Sequence, residues 1–215
     1  MPKALSILAA LTLPAAALAQ STVTLDDFSL DDLTDTAPAQ AAPQAKPDSE
    51  MRDCLMDQAS CASAEFGNAA DFTLDDVYNL GVIDRSQQQR IAATNPDPAP
   101  LPSIDLEVLF AYNSDDLTPQ AMAKLSTLAA ALSDPRLAGS QLLFIGHTDA
   151  VGSAPYNTDL SQRRAQAVAN YVQATMQLSP SRIEAVGVGF SRLKNTIDPT
   201  SAQNRRVQLV LVPGA

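Results

Sequence analysis

Two side chains of opposite charge, Asp149 and Arg164, have a spacing that suits a small binding site. Asp149 follows the apolar run 141–145, and Arg164 lies after a polar loop, in a segment with a helical pattern. A loop this short folds the helix back over the end of the strand, so both side chains can line one pocket. The pair then has two interpretations. It is either an internal salt bridge between loop and helix, or a site where the carboxylate binds an ammonium group and the guanidinium binds a carboxylate bidentately.

The elements that must position this pair follow from the patterns of the C-terminal half. Apolar and polar residues alternate at 104–110 and at 207–211, which predicts two strands, the first of them half-buried. Between them the sequence predicts a helix from Thr118-Pro119 to Asp134-Pro135, a strand at 141–145, a helix at 160–176 capped by Thr158 or Asp159, and a strand at 183–188. The order β-α-β-α-β-β predicts the α+β fold class, as a two-layer domain with helices on one face of a mixed four-stranded sheet.

The stretch 146–165 resembles the signature of OmpA-like domains, the family of the OmpA C-terminal domain. The matching residues are Gly146-His-Thr-Asp149, Gly152-Ser153, Tyr156-Asn157, Leu160-Ser161 and Arg164-Ala165, continued by Val168 and Tyr171. Further matches are Phe110 and Asn113-Ser114 in the first strand and loop, Gly187-Val-Gly189 in the third strand, and Asn204-Arg205-Arg206-Val207 before the last strand. The resemblance covers about residues 103–212 and none of the rest.

The resemblance implies non-covalent binding of peptidoglycan, through meso-diaminopimelate in its free peptide stem. Asp149 would take the ammonium group of the ligand's amino-acid end, and Arg164 would take its carboxylate. Asn113, Asn157 and Arg205 match family positions that help to line the groove. From this implied binding we expect a protein that tethers or organises the cell wall. The chain departs from the family in one loop, because 189–194 reads Gly-Phe-Ser-Arg-Leu-Lys without the usual proline.

The residues offer little support for an enzyme acting on the wall. His147 is the only histidine, and no Gly-x-Ser-x-Gly elbow accompanies it, so a Ser-His-Asp set from Ser153, His147 and Asp149 is not favoured. We expect His147 to have a structural, hydrogen-bonded role in its loop. The sequence therefore predicts no catalytic residue, no metal ligand and no cofactor.

The first residues predict export. Lys3 gives a positive start, 5–17 is apolar, and Ala17-Leu-Ala19 matches the small-x-small cleavage pattern, so residues 1–19 are predicted to be a cleaved signal peptide. We expect the mature protein in the periplasm, either free or associated with the outer membrane. Export also favours a disulfide between the only cysteines, Cys54 and Cys61, rather than a metal site.

The segment between signal peptide and OmpA-like domain is acidic. Residues 20–100 contain 15 acidic and 4 basic side chains, whereas residues 101–215 contain 9 of each, which argues against nucleic acid as a partner. We predict a largely disordered linker at 20–47, a small helical segment with its own mini-core at 48–94, and a proline-rich spacer at 95–102. Thr24-Leu-Asp-Asp-Phe28 and Thr73-Leu-Asp-Asp-Val77 form an echo, either by chance or as a short partner-binding motif. The alternative function is that residues 20–100 recruit an outer-membrane or other envelope protein to the wall.

Overall fold

The computed structural model describes residues 46–61, 66, 69–95, 100–108, 110 and 114–214. The predicted signal peptide at 1–19, residues 20–45 of the predicted linker, residues 96–99 of the spacer and Asn113 lie outside these ranges. The described helices are α1 (Pro47–Met56), α2 (Leu74–Asn79), α3 (Arg85–Thr94), α4 (Pro119–Leu132) and α5 (Ala154–Met176). The strands are β1 (Ser103–Leu106), β2 (Gln141–Gly146), β3 (Ile183–Gly187) and β4 (Val207–Val212).

The four strands form one mixed sheet in the order β1-β4-β2-β3. Strand β4 pairs antiparallel with both β1 and β2, and β2 pairs parallel with β3. The chain order β1-α4-β2-α5-β3-β4 confirms the predicted β-α-β-α-β-β pattern. Helices α4 and α5 pack on one face of the sheet, where Leu125, Leu128, Val168 and Val172 are fully buried in one core with apolar side chains of the four strands.

Helix starts show where local sequence signals are strong. The α4 start is as predicted, since the Thr118 hydroxyl accepts the Ala121 N–H at 3.2 Å and Pro119 opens the first turn. The predicted start of α5 near Leu160 is wrong. The helix begins at Ala154, because Ser153 caps it and the following proline stands in the first turn, where its missing N–H costs nothing. Arg164 therefore lies about three turns into α5, whereas the predicted helix at 160–176 would place it about one turn from the start.

Strand β1 differs from the expected half-buried strand at 104–110. It ends at Leu106, and all four of its residues are buried. Asp105, expected on a solvated face, is only 2% exposed. Its carboxylate accepts hydrogen bonds from Arg206 Nε at 3.0 Å and Lys194 Nζ at 2.7 Å, which compensate for its removal from water.

The second face of the sheet is covered by residues that precede the OmpA-like match. The buried residues of this cover are Phe72, Val77, Ile83, Ile91 and Leu101. They pack against the alternate side chains of β2 and β4, which are Leu143, Ile145, Val210 and Val212. The expected separate mini-core of 48–94 does not form. Its apolar residues divide between the two faces of the sheet, because each face offers a larger apolar surface than the short helices offer one another.

Helix α1 joins the core on the α4 side, where Met51, Cys54 and Leu55 are buried. A disulfide links Cys54 in the last turn of α1 to Cys61, with Cα atoms 4.6 Å apart, and it confirms the predicted pairing. The bond closes a short loop that includes the 3-10 turn Gln58–Ser60. The amide of Gln58 donates to the Ser103 carbonyl at 3.4 Å, so this loop contacts the start of β1.

Candidate functional site

Helix α5 crosses the ends of β2 and β3 at very short range, and two glycines permit this approach. A Cβ atom on Gly146 would lie 2.1 Å from the Ser161 carbonyl oxygen, and one on Gly187 would lie 2.2 Å from the backbone nitrogen of Gln162. Gln162 also fixes the crossing, because its amide donates to the Ala185 carbonyl and its amide oxygen accepts the Gly187 N–H. The loop after Gly146 and the residue Arg164 are thereby brought to the same edge of the sheet.

The loop between β2 and α5 is held by backbone hydrogen bonds on both sides. The N–H groups of His147, Thr148 and Ala150 donate to the carbonyls of Arg206, Gly189 and Pro199 at 2.9, 3.0 and 2.9 Å. These bonds connect the loop to the two segments that flank it. Asp149 therefore stands on a backbone that neighbouring segments have fixed.

Asn157 supports the same loop from inside α5. Its side chain is 2% exposed, and its amide donates to the carbonyls of Val151 at 2.9 Å and Ser153 at 3.2 Å. Predicted to help line a groove, this residue instead uses its donors within the protein. Its contribution to binding therefore stays a prediction, and the structure gives it a positioning geometry.

The Asp149 carboxylate pairs with Arg205 rather than with Arg164. Oδ2 accepts a hydrogen bond from Arg205 Nη1 at 2.8 Å, and Oδ1 accepts the Val151 N–H at 3.2 Å. The Asp149 side chain is 13% exposed and that of Arg205 is 49% exposed. The loop is therefore not held by a salt bridge between Asp149 and Arg164, which was one of the two interpretations of this pair.

Two residues in the segment that follows β1, Phe110 and Ser114, orient Arg164. Its Nε donates to the Ser114 carbonyl at 3.2 Å, and its guanidinium lies over the Phe110 ring, 4.9 Å from the ring centre. Burial lowers the pKa of Arg164, and the charge of Arg205 acts in the same direction, while Asp149 acts against it. Because the ordinary pKa of arginine is so high, the group stays charged near neutral pH.

Arg164 and Arg205 line one pocket of about 210 Å³. Glu107, Phe110, His147 and Arg206 also contribute to its wall. Of the five predicted ligand residues, the structure thus brings Asp149, Arg164 and Arg205 together, keeps Asn157 behind the loop, and leaves Asn113 outside the described ranges. Phe110 was recognised in the sequence only as a match to the first strand, and its stacking on Arg164 was not foreseen.

Behind the pocket lies a buried polar cluster that sequence reasoning missed. Arg206 is 5% exposed and is held by Asp105, while burial lowers its pKa and Asp105 acts against that shift. His147 is 2% exposed, and neither of its ring nitrogens makes a hydrogen bond within the described residues. Burial, and then the charge of Arg206, hold the pKa of His147 well below its ordinary value. The ring is therefore neutral at neutral pH, and its structural role stays a prediction.

The loop that lacks the family's proline is fixed by other means. Arg192 stacks on Phe72, 4.5 Å from the ring centre, and forms an ion pair with Asp76. Burial opposes the ionised form of Asp76, but hydrogen bonds from Thr73 and Arg192 outweigh it and lower the pKa. The segment Thr73–Val77 therefore has a structural explanation, as a capping box and as the partner of Arg192.

Two further observations concern metal binding and membrane-spanning helices. Within the described ranges, no cluster of three or more His, Cys, Asp or Glu side chains is arranged to hold a metal ion. None of the helices in that part of the chain has both the length and the apolar character needed to cross a membrane.

A family model and several curated relatives relate part of this chain to the OmpA family. The model of the OmpA family matches residues 109–207. A peptidoglycan-associated lipoprotein of Pseudomonas aeruginosa is 39% identical over 102 residues, which are 46% of this chain and 58% of the relative. Outer membrane protein A of Shigella flexneri is 32% identical over 143 residues, which are 63% of this chain and 40% of the relative. The chain thus spans less than two thirds of these curated relatives.

Among solved structures, the peptidoglycan-associated lipoprotein of Burkholderia pseudomallei is 32% identical. The likeness covers 48% of this chain and 87% of that one, with a TM-score of 0.40. Residues 109–207 include Asp149, Arg164 and Arg205, the three charged residues that the structure brings together. Residues 109–207 of this chain thus match the OmpA family, as the sequence motif predicted.

Proposed function

We propose that this protein binds peptidoglycan non-covalently and so tethers or organises the cell wall. The ligand is the free peptide stem, recognised through the zwitterionic end of meso-diaminopimelate. The observation that carries the proposal is the set of charges at one edge of the sheet, the Asp149 carboxylate with the guanidinium groups of Arg164 and Arg205. The names of the relatives, peptidoglycan-associated lipoproteins among them, support the same ligand.

Each charge of the ligand end has a matching group in the site. Asp149 offers carboxylate oxygens to the ammonium group. Arg164 uses Nε on the Ser114 carbonyl and the ring face on Phe110, so its two terminal nitrogens are free of these contacts and suit a carboxylate. No bond is made or broken in this scheme, and the protein acts by holding the ligand rather than by converting it.

The first prediction tests these two groups. Asp149→Asn and Arg164→Ala each remove one partner of a charged hydrogen-bonded pair, which typically costs about 2–5 kcal/mol of binding, or roughly 30-fold or more in affinity. Both variants are expected to lose pull-down on purified sacculi. Calorimetric titration with a diaminopimelate-containing stem peptide gives the affinity of each folded variant.

Matched controls exist elsewhere in the chain. Asp159→Asn removes a carboxylate that pairs with Arg163 on the exposed side of α5, and Arg136→Ala removes an exposed guanidinium that pairs with Asp134, so both are expected to bind as the natural protein does. Circular dichroism establishes that all four variants are folded. Unchanged affinity in both Asp149→Asn and Arg164→Ala would refute the assignment of the site.

The location proposed for this function is the periplasm, reached by export and cleavage after Ala19. The motivating features are Lys3, the apolar run 5–17 and the Ala17-Leu-Ala19 pattern. Sequencing of the mature protein from a periplasmic fraction is expected to give Gln20 as its first residue. Recovery of the protein in washed membranes with Met1 still present would contradict this.

A further inference from the structure

The carboxylate assigned to the ligand's ammonium group already carries a cation of the protein. Arg205 Nη1 lies 2.8 Å from Asp149 Oδ2, the oxygen that the Val151 N–H leaves available. A ligand ammonium that approaches Asp149 must therefore compete with Arg205. This is a different arrangement from an open carboxylate, and it has consequences for which ligands can bind.

The backbone at Arg205 is fixed, whereas its side chain is held only at the surface, by the ion pair with Asp149. Asn204 is fully buried, and its amide donates to the carbonyls of Asn195, Asp198 and Pro199 at 3.1–3.2 Å. On the other side, Arg206 is held by buried Asp105. Between these two anchors the side chain of Arg205 is about half exposed, so it can leave Asp149 without disturbing the fold.

A second cation lies close to this ion pair. The charge of Arg205 is felt at Arg164, and both residues line the same pocket. If a lone ammonium displaces Arg205, the ligand exchanges one cation for another at Asp149 and leaves Arg205 without its anion. A ligand that carries a carboxylate next to the ammonium supplies that anion, and both guanidinium groups can then use it.

We propose that Arg205 is a displaceable internal counterion of Asp149, which makes the site select ligands that carry a carboxylate beside the ammonium group. The inference rests on the proposed function, since it concerns how the same site distinguishes its ligands. Arg205 is then a specificity-determining residue. It opposes binding of simple amines and supports binding of zwitterions.

The test compares two stem tripeptides that differ only at the end of the third side chain. One ends in meso-diaminopimelate, with ammonium and carboxylate, and the other ends in L-lysine, with ammonium alone. Calorimetry measures the affinity of each for the natural protein, for Arg205→Gln and for Arg205→Lys. The readout is the ratio of the two affinities, which a general loss of folding leaves unchanged.

In the natural protein the diaminopimelate peptide is expected to bind about tenfold or more tightly than the lysine peptide. In Arg205→Gln the lysine peptide is expected to gain about threefold to fivefold, the amount that loss of a partly exposed competing ion pair represents. The diaminopimelate peptide is expected to lose affinity, so the ratio falls to about threefold or less. Arg205→Lys keeps a cation within reach of Asp149 and should retain more of the selectivity.

Arg136→Gln serves as the control, because it removes one charge from an exposed arginine that pairs with Asp134 outside the site. A ratio in Arg205→Gln that equals the natural one, including no measurable binding of the lysine peptide to either protein, would overturn the inference and leave the proposed function intact. Equal binding of both peptides by the natural protein would overturn it as well. A natural protein that binds neither peptide would refute the proposed function, and this inference with it.

Discussion

Arg205 and Arg206 are neighbours in the chain but occupy opposite environments. The side chain of Arg205 is 49% exposed and reaches Asp149 at the surface, whereas that of Arg206 is 3% exposed and is held by Asp105 inside the protein. The bend at Arg205, directly after the 3-10 turn Ala202–Asn204, separates the two side chains before β4 begins. A guanidinium in water can exchange its partner at little cost, while a buried one cannot leave its carboxylate without a large desolvation penalty. The same residue type is therefore proposed to serve recognition at one position, while it serves architecture at the next.

At the residue scale, His147 predicts a loss of stability in mild acid. The folded protein keeps the ring neutral because burial and Arg206 lower its pKa, while the unfolded chain takes up a proton below about pH 6.5. Below that pH the unfolded state binds more protons, so the free energy of unfolding falls by up to about 1.4 kcal/mol per pH unit until the folded pKa is reached.

Urea unfolding of the natural protein and of His147→Gln, each at about pH 7 and about pH 5, measures this contribution. Since His147 is the only histidine, the drop in unfolding free energy is expected to be smaller in the variant, and carboxylates affect both proteins alike. An equal drop in both would show that the histidine does not cause it.

At the scale of elements, the site depends on how closely α5 approaches the sheet. Gly146 and Gly187 have no Cβ atom, so the backbone of Ser161 and Gln162 can pass directly over the strand ends. This contact determines the distance between the loop that carries Asp149 and the helix that carries Arg164. These two glycines thus shape the edge of the sheet through packing.

Gly146→Ala is predicted to destabilise the protein, because its Cβ would lie 2.1 Å from backbone that cannot move without shifting α5. Overpacking of this kind costs about 1–3 kcal/mol or more. Gly139→Ala is the matched control, since its Cβ would meet nothing within 4 Å. Chemical denaturation of both variants measures the effect, and equal stability of the two would mean that the close approach is not required.

At the scale of the whole molecule, the sheet is covered on both faces. Helices α4, α5 and α1 cover one face, and apolar side chains of residues 72–95 together with Leu101 cover the other. The residues that cover the second face also hold the loop after Gly189, because Arg192 in this loop contacts Phe72 and Asp76. Whether residues 103–212 are a domain in their own right stays a prediction, and these contacts indicate how the preceding segment can influence it.

Phe72→Ala tests whether this cover belongs to the same folding unit. Phe72 is fully buried between the sheet and Arg192, and truncation of such a residue costs about 3–5 kcal/mol. We expect a lower midpoint in the single denaturant transition that reports the sheet. Ile197→Ala, at a residue 97% exposed, is expected to change stability by less than about 0.5 kcal/mol. An unchanged midpoint in Phe72→Ala would show that residues 72–101 fold separately.

Local signals explain what the sequence alone determined. Thr118-Pro119 defines a helix start through one hydroxyl and one fixed backbone angle, and the pairing of Cys54 with Cys61 needs only a short loop. The β-α-β-α-β-β order follows from periodicities that each element carries within itself. The Gly146–Ala165 motif likewise identified the edge of the sheet at which Asp149 and Arg164 lie, because its glycines and charges are contiguous in the chain.

Only the tertiary structure decided which distant residues meet. The burial of Asp105 depends on Lys194 and Arg206, and the cover on the second face depends on Phe72, all far from their partners in sequence. The pairing of Asp149 with Arg205 in place of Arg164 is of the same kind. Such contacts follow from the closure of long loops and from competition among several partners of like charge. No periodicity or spacing encodes that competition, since its outcome depends on distances that exist only after the chain has folded.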